Sequence, residues 1–334
     1  MVKAALIGLG FWGERIAEAL QSSKSINLVR VFSRNEAKRQ EFATKYGCRA
    51  AISYEEILED PTVDAIILVT PNSIHAEQIE LAAQKGKHVL VEKPLADTMA
   101  NARRIATAVN KAGIILSVGH NRRRLPEIRL IKQWLAEGKI GSPVTVEANF
   151  SSDNGFKIKP GEWRWSKEEC GSGPLIQLAV HHADTLQYLL GAVQTVTGVQ
   201  KRLHTAAEIM DTTTTLLEFS SGCLGCISSS YITPRICRII LTGTSGQIFY
   251  DEDIGLLINK GGGYEQIELE PKQQYDRVLG TLREEIDEFA NCIVFRKKPE
   301  VSLHEGLMAL AVVQAAERSQ IENRPIYLKE LINP

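Results

Sequence analysis

The chain has 334 residues, which at ~150 residues per domain suggests about two domains. Its 39 Lys and Arg against 40 Asp and Glu leave a net charge of −1. That balance excludes the basic face that nucleic acid requires and the polybasic patch of a membrane-surface protein. With 44% hydrophobic and 24% charged residues, the composition also excludes a disordered chain.

In chain order, Val2–Gly8, Asn27–Phe32, Ala65–Thr70, His88–Val91 and Ile114–Val118 read as buried strands. Trp12–Gln21, Glu36–Tyr46, Ile74–Lys85 and Thr98–Lys111 between them read as amphipathic helices. Gly47, Gly86 and Gly113 stand just past three of those helix ends. Such alternation predicts a doubly wound parallel sheet over residues 1–120. After Gly119 the pattern changes. A helix over Pro126–Glu137 and a strand over Val144–Phe150 precede a polar, Gly- and Trp-rich loop at 151–173. A helix over Pro174–Leu190 leads into seven strand-like runs between Thr195 and Leu269, and two helices, Val278–Phe295 and His304–Glu322, follow. Residues 121–334 therefore read as a second α/β domain with a large, mostly antiparallel open sheet.

No apolar run approaches the ~20 residues of a membrane span. The opening apolar stretch meets Gly8 too early for a signal-peptide core, and six scattered cysteines fit reduced thiols, so a cytoplasmic protein is expected. Cys223-Leu224-Gly225-Cys226 lies in a strand-like run, where residues three apart face opposite sides; buried thiols fit it better than zinc. No metal is expected.

Gly8-Leu9-Gly10-Phe11-Trp12-Gly13 fits G-x-G-x-x-G between a strand and a helix. Gly8 permits the tight turn, Gly10 lets backbone approach a pyrophosphate, and Gly13 lets the helix pack on the strand. Phe11 and Trp12 open the helix, whose N-terminal N–H groups suit phosphate. Twenty residues past Gly13, where an NAD site usually carries an acid, stand Ser33 and Arg34. With Lys38 one turn along, they suit a 2′-phosphate, so NADP is the expected cofactor, with NAD as the alternative. Thr70, Pro71, Asn72 and His75 follow one strand end, and Glu92-Lys93-Pro94 another. Both ends face the ligand crevice of such a sheet, and a lysine there can stabilise an alkoxide. Farther on, Gln177, His181, Asp184 and Tyr188 share one helical face, with His182 rotated off it. A His with a carboxylate one turn away suits a general acid or base; no third residue completes a metal site. Trp163, Arg164 and Trp165 suit a sugar ring and an anionic substituent.

Taken together, these motifs resemble the family of glucose–fructose oxidoreductase and inositol 2-dehydrogenase. The resemblance spans nearly the whole chain. It rests on Gly8–Gly13, Val69-Thr70-Pro71-Asn72-Ser73-Ile74-His75, Gly86–Leu95 with its Glu92-Lys93-Pro94, Gly119-His120-Asn121-Arg122-Arg123, and His181-His182-Ala183-Asp184. It implies a Rossmann domain followed by an α/β domain, Lys93 beside the nicotinamide, and His181 as general acid/base. Gln177 stands where related sugar dehydrogenases commonly carry Asp, and an amide cannot take a proton. The expectation is a hydride-transferring enzyme acting on a sugar, polyol or related compound, with Arg123, Trp163, Arg164, Trp165, Gln177 and Asp184 around the substrate. A dinucleotide-sensing regulator and a reductase of a non-sugar C=O or C=N group are the alternatives. Self-association into a homo-oligomer (dimer or tetramer) is expected, with neither a nucleic-acid nor a membrane partner.

Overall fold

The computed structural model describes residues 1–269 and 277–332. The chain divides into two units, Met1–Arg124 with Gln274–Leu307, and Leu125–Gln273 with Met308–Pro334.

The first unit opens with β1 (Val2–Ile7), α1 (Phe11–Gln21), β2 (Ile26–Phe32), α2 (Glu36–Tyr46), β3 (Arg49–Ala50) and α3 (Tyr54–Glu59). It continues with β4 (Ala65–Leu68), α4 (His75–Gln84), β5 (His88–Glu92), α5 (Met99–Ala112) and β6 (Leu116–Gly119). The sheet order is β3-β2-β1-β4-β5-β6, with every neighbouring pair parallel. All four residues of β4 are buried, as a strand covered by helices on both faces requires. The order reverses between β1 and β4, the switch point where such sheets open a ligand crevice. The five strands and four helices read from the apolar pattern are all present. The pattern does not show β3 and α3. Two residues carry no periodicity, and α3 is a six-residue turn held by Ser53, whose Oγ accepts the Glu56 N–H at 3.1 Å.

The second unit carries α6 (Pro126–Ala136), β7 (Pro143–Ser151), α7 (Lys167–Cys170), and a π-helical turn (Leu175–Ala179) running into α8 (Val180–Leu190). Next come β8 (Val193–Lys201), β9 (Thr212–Phe219), β10 (Leu224–Ser230), β11 (Ile236–Gly243), β12 (Gly246–Asp251), β13 (Gly255–Asn259) and β14 (Tyr264–Ile267). In chain order there follow α9 (Arg277–Phe295), which belongs to the first unit, α10 (Leu303–Glu322), which begins in the first unit and continues in the second, and β15 (Ile326–Tyr327) and α11 (Lys329–Ile332) of the second unit. Nine strands run β14-β13-β12-β11-β7-β10-β9-β8-β15. The β7–β10 pair is parallel and the other pairs are antiparallel. Burial alternates along β9: Thr213, Thr215, Leu217 and Phe219 are buried, whereas Thr214, Leu216 and Glu218 are exposed. One face of the sheet is therefore packed and the other is open. Cys226 lies in β10 and Cys223 just before it; both thiols are free, and Cys223 is buried.

One boundary differs from the sequence reading, which placed residues 121–334 together. Residues 121–124 and the segment containing α9 group with the first unit. The cause is a helical stripe. Leu282, Ile286, Phe289 and Ala290 are buried in the same cluster as Leu6, Ile16, Leu20 and Leu28. Arg124, 1% exposed at its side chain, pairs with Glu284, Glu288 and Glu300 at 3.4, 3.3 and 3.4 Å. Asn121 Nδ2 donates to Thr281 Oγ1 at 2.9 Å.

Candidate active site

The turn after β1 has the form a dinucleotide phosphate needs. Gly8 sits at φ +96°, a left-handed conformation, and a Cβ there would run into the Val69 carbonyl. A Cβ on Gly13 would run into the Gly8 carbonyl, so α1 packs tightly on the turn. At Gly10 the opposite holds: a Cβ would meet nothing within 4 Å. Gly10 is also the N-cap of α1 and offers no side-chain cap, which leaves the first-turn N–H groups for a ligand. The residues present fit a dinucleotide. Phe11 is 75% exposed beside this opening, while Trp12 meets it edge-on at 5.6 Å and packs against the core.

The loop after β2 is built around one buried arginine. Arg39 of α2 donates from Nη1 to the carbonyls of Ser33 and Arg34, at 3.3 and 3.5 Å. Ser33 Oγ donates to the Asn35 carbonyl at 3.2 Å, and Asn35 caps α2 by accepting the Lys38 N–H at 3.0 Å. The Arg34 and Lys38 side chains are exposed, and Ser33 is half-buried. Arg39 lies outside the motif and gave no signal in the sequence.

At the ends of β4 and β5 the buried groups are polar. Asn72 is 3% exposed, and its Nδ2 has no hydrogen-bond partner among the described residues, an orphan donor of the kind a ligand oxygen satisfies. Thr70 Oγ1 donates to Gln78 Oε1 at 2.6 Å. His75, expected at the cofactor, faces protein instead. It is 0% exposed, with Nδ1 3.0 Å from the Pro94 carbonyl oxygen and Nε2 3.0 Å from that of Thr70. Burial pushes its pKa below the ordinary histidine value. The Lys93–Pro94 bond is cis. Burial pushes the Glu92 carboxyl up, with the Lys93 charge opposing, and Glu92 Oε2 accepts the Lys93 backbone N–H at 3.2 Å. Gly119 makes room for it: a Cβ there would lie 3.3 Å from Glu92 Oε1. Arg123 is 5% exposed and donates to the Glu300 carbonyl at 3.4 Å within the first unit.

In the second unit, Gln177, His181 and Asp184 are buried together on the helix after the 151–173 loop. Gln177 falls in the π-helical turn Leu175–Ala179, not in a regular α-helix. Wide turns of this kind often mark functional positions. The Phe150 ring packs against both histidines, 5.7 Å from His181 and 5.9 Å from His182 between centroids. His182 is engaged through Nε2, 3.1 Å from the Asn149 carbonyl oxygen. Tyr188 accepts a hydrogen bond from Arg129 Nη1 at 2.8 Å, which ties α8 to α6. Arg164 stacks on Trp163, its guanidinium carbon 4.2 Å from the ring centroid, in the 3-10 turn Trp163–Trp165. Among the described residues, no group of three or more His, Cys, Asp or Glu could hold a metal.

Comparison with known proteins places this arrangement. Residues 2–120 match the oxidoreductase family model with an NAD-binding Rossmann fold, and residues 128–249 match the GFO/IDH/MocA C-terminal domain. The scyllo-inositol 2-dehydrogenase (NAD(+)) of Bacillus subtilis is 30% identical over 340 residues, spanning 98% of this chain and 96% of that one. The 1,5-anhydro-D-fructose reductase of Ensifer adhaerens is 28% identical over 314 residues, 88% of this chain and 90% of the other. A solved structure of a proposed NADPH-dependent oxidoreductase from Desulfitobacterium hafniense superposes with a TM-score of 0.92 at 33% identity, covering 99% of each chain. The chain belongs to the Gfo/Idh/MocA family of oxidoreductases, whose N-terminal domain binds a nicotinamide dinucleotide.

Proposed function

We propose that this chain is an NADP-preferring oxidoreductase that interconverts a CH–OH group and a carbonyl on a sugar or polyol. The observation that carries the cofactor preference is the loop after β2. It offers the Ser33 hydroxyl and the exposed cations of Arg34 and Lys38, and it has no carboxylate at residues 33–35 to repel a 2′-phosphate. Gly8, Gly10 and Gly13 with the first turn of α1 would hold the pyrophosphate, and Thr70, Pro71, Asn72 and Glu92 the nicotinamide half. When bound, the nicotinamide supplies the hydride acceptor or donor. Lys93 stabilises the negative charge that develops on the substrate oxygen, and His181 takes or gives the hydroxyl proton at that oxygen. Gln177 and Asp184, on the same helix, orient substrate and His181. Trp163, Arg164 and Trp165 present aromatic faces and one cation to the rest of the substrate. The substrate class rests on relatives named for inositols, 1,5-anhydro-D-fructose and, in Haloarcula marismortui, D-xylose with NADP(+).

The open face of the nine-stranded sheet carries Val199, Leu216 and Leu224, at 54, 56 and 57% exposure. We infer that a second copy of the chain covers it.

The test of the enzyme reading is a panel of myo-inositol, scyllo-inositol, D-xylose and levoglucosan with NAD and NADP, and 1,5-anhydro-D-fructose with the reduced cofactors. Turnover is read from reduced-nicotinamide absorbance. Turnover of at least one compound, faster with NADP, is expected. Tight NADPH binding without turnover across the panel would move the reading to a dinucleotide sensor.

A further inference from the structure

We propose that His75 is a positioning residue: a strap that ties the Thr70–Asn72 turn to the Lys93–Leu95 turn and so holds Lys93 where the reaction uses it. The inference rests on the role given to Lys93 above. Its evidence is geometric. The β4–β5 ladder ends at Leu68 and Val91, so beyond it no strand pairing joins the two segments that follow. His75, the first residue of α4, fills that gap. One ring nitrogen lies 3.0 Å from the Thr70 carbonyl oxygen, the other 3.0 Å from that of Pro94, the residue after Lys93. No part of the side chain reaches solvent. Carbonyl oxygens only accept, so both contacts are hydrogen bonds in the imidazolium form and one is in the neutral form. Burial favours the neutral form; Asp97 is the charged group that opposes it. Even one such bond, fully buried, fixes a loop more firmly than water-exposed backbone can. A misplacement of about 1 Å at a reacting group is enough to cost ~100-fold in rate, so a strap at this position bears directly on Lys93.

The experiment uses the full chain, with NADPH as the only added molecule. His75→Phe keeps a ring and removes both ring nitrogens with whatever donor they carry, whereas His75→Gln retains an amide donor. Lys93→Met and the double variant complete a cycle. NADPH affinity and the emission maximum of bound NADPH are measured for each variant, with amide exchange on the free protein. His75→Phe is expected to shift the emission in the same direction as Lys93→Met and to add nothing in the Lys93→Met background. His75→Gln should recover most of the original emission. Exchange at Thr70, Asn72, Lys93 and Leu95 should rise by ~10-fold or more in His75→Phe, while the Gly8–Gly13 turn and NADPH affinity change by less than ~3-fold. Unchanged emission and exchange in His75→Phe would overturn the proposal. So would an emission shift that adds fully to that of Lys93→Met. If Lys93→Met alone leaves the emission unchanged, the placement of Lys93 beside the nicotinamide fails, and the exchange data decide the strap separately. If His75→Phe does not fold, His75→Gln carries the same comparison, with a smaller shift that must also vanish in the Lys93→Met background.

Discussion

Replacing Ser33 by Asp tests the cofactor preference at its physical root. Ser33 is half-buried, and Arg39 holds the Ser33 carbonyl in place, so the backbone that carries an Asp at this position is fixed; the bond from Ser33 Oγ to the Asn35 carbonyl is lost, because a carboxylate cannot donate. Two unit charges at 4 Å repel by about 1 kcal/mol in water and about 4 kcal/mol at the effective dielectric of a protein surface. A half-exposed position lies between these limits, at about 2 to 3 kcal/mol, and the nearby Arg34 and Lys38 screen part of it. At 1.4 kcal/mol per tenfold, NADP affinity should fall by ~30- to 100-fold. The same carboxylate accepts hydrogen bonds from a ribose 2′-hydroxyl, so NAD affinity should hold or improve. The assay is a titration of each reduced cofactor, followed by nicotinamide fluorescence, at low and at high salt. Because the effect is electrostatic and partly exposed, it should shrink at high salt. Equal binding of NAD and NADP by the unmodified protein, or a Ser33→Asp variant with unchanged preference, would refute the reasoning.

Three further outcomes follow from the same geometry. Lys93→Met should leave NADPH binding largely intact and lower kcat by ~100-fold or more; near-normal kcat would make Lys93 structural. His181→Ala should abolish most turnover, whereas His182→Ala, which removes the contact with the Asn149 carbonyl, should cost stability and spare kcat. The two alanine variants compared on one substrate decide between them. Asp211 is 0% exposed and accepts the N–H groups of Leu203, His204 and Thr205. Burial alone would raise its pKa; those donors outweigh it and hold the carboxyl below its ordinary value. The stabilisation is therefore complete above the ordinary carboxylate pKa of ~3.9 and is lost as pH falls through the depressed folded value. Asp211→Asn should cost about 2 to 4 kcal/mol at neutral pH and lack that acid limb in a denaturation series, whereas an unchanged acid limb would show that another group causes it.

The two sheets were legible because each advertises its covering. The buried parallel strands β1, β4 and β5 are near-continuous apolar runs, and β9 alternates, so period and composition separate the two units without any long-range information. The assignment of α9 was not legible. Its stripe of Leu282, Ile286 and Phe289 announces an amphipathic helix but says nothing of which core receives it. Chain order does not show that the stripe packs in the first unit's core or that Arg124 and Asn121 bond to residues of the helix. The π-helical turn was equally hidden, since Leu175–Ala179 has no residue that forbids a regular α-turn.

At the candidate site the same division holds, and it separates residues that can be named from residues that can only be found. Gly8, Gly10 and Gly13 lie within a six-residue turn, so spacing alone names them, and the structure gives Gly8 and Gly13 a steric reason while leaving open space at Gly10. Arg39, Gly119 and Phe150 act on residues 5 to 32 positions away in the chain, through a carbonyl, a carboxylate and an imidazole ring. None belongs to a pattern with a fixed spacing, so no local reading reaches them. His75 belongs to both groups. Its position in the Thr70–His75 motif was conspicuous, and the motif's place at a strand end suggested a cofactor contact. Its partner at Pro94 is 19 residues away, and only the fold shows that the imidazole is spent on two backbone carbonyls. A conspicuous residue in a ligand crevice can thus serve the ligand by shaping the backbone. For His75 the loss to look for is therefore placement of Lys93, not of cofactor affinity.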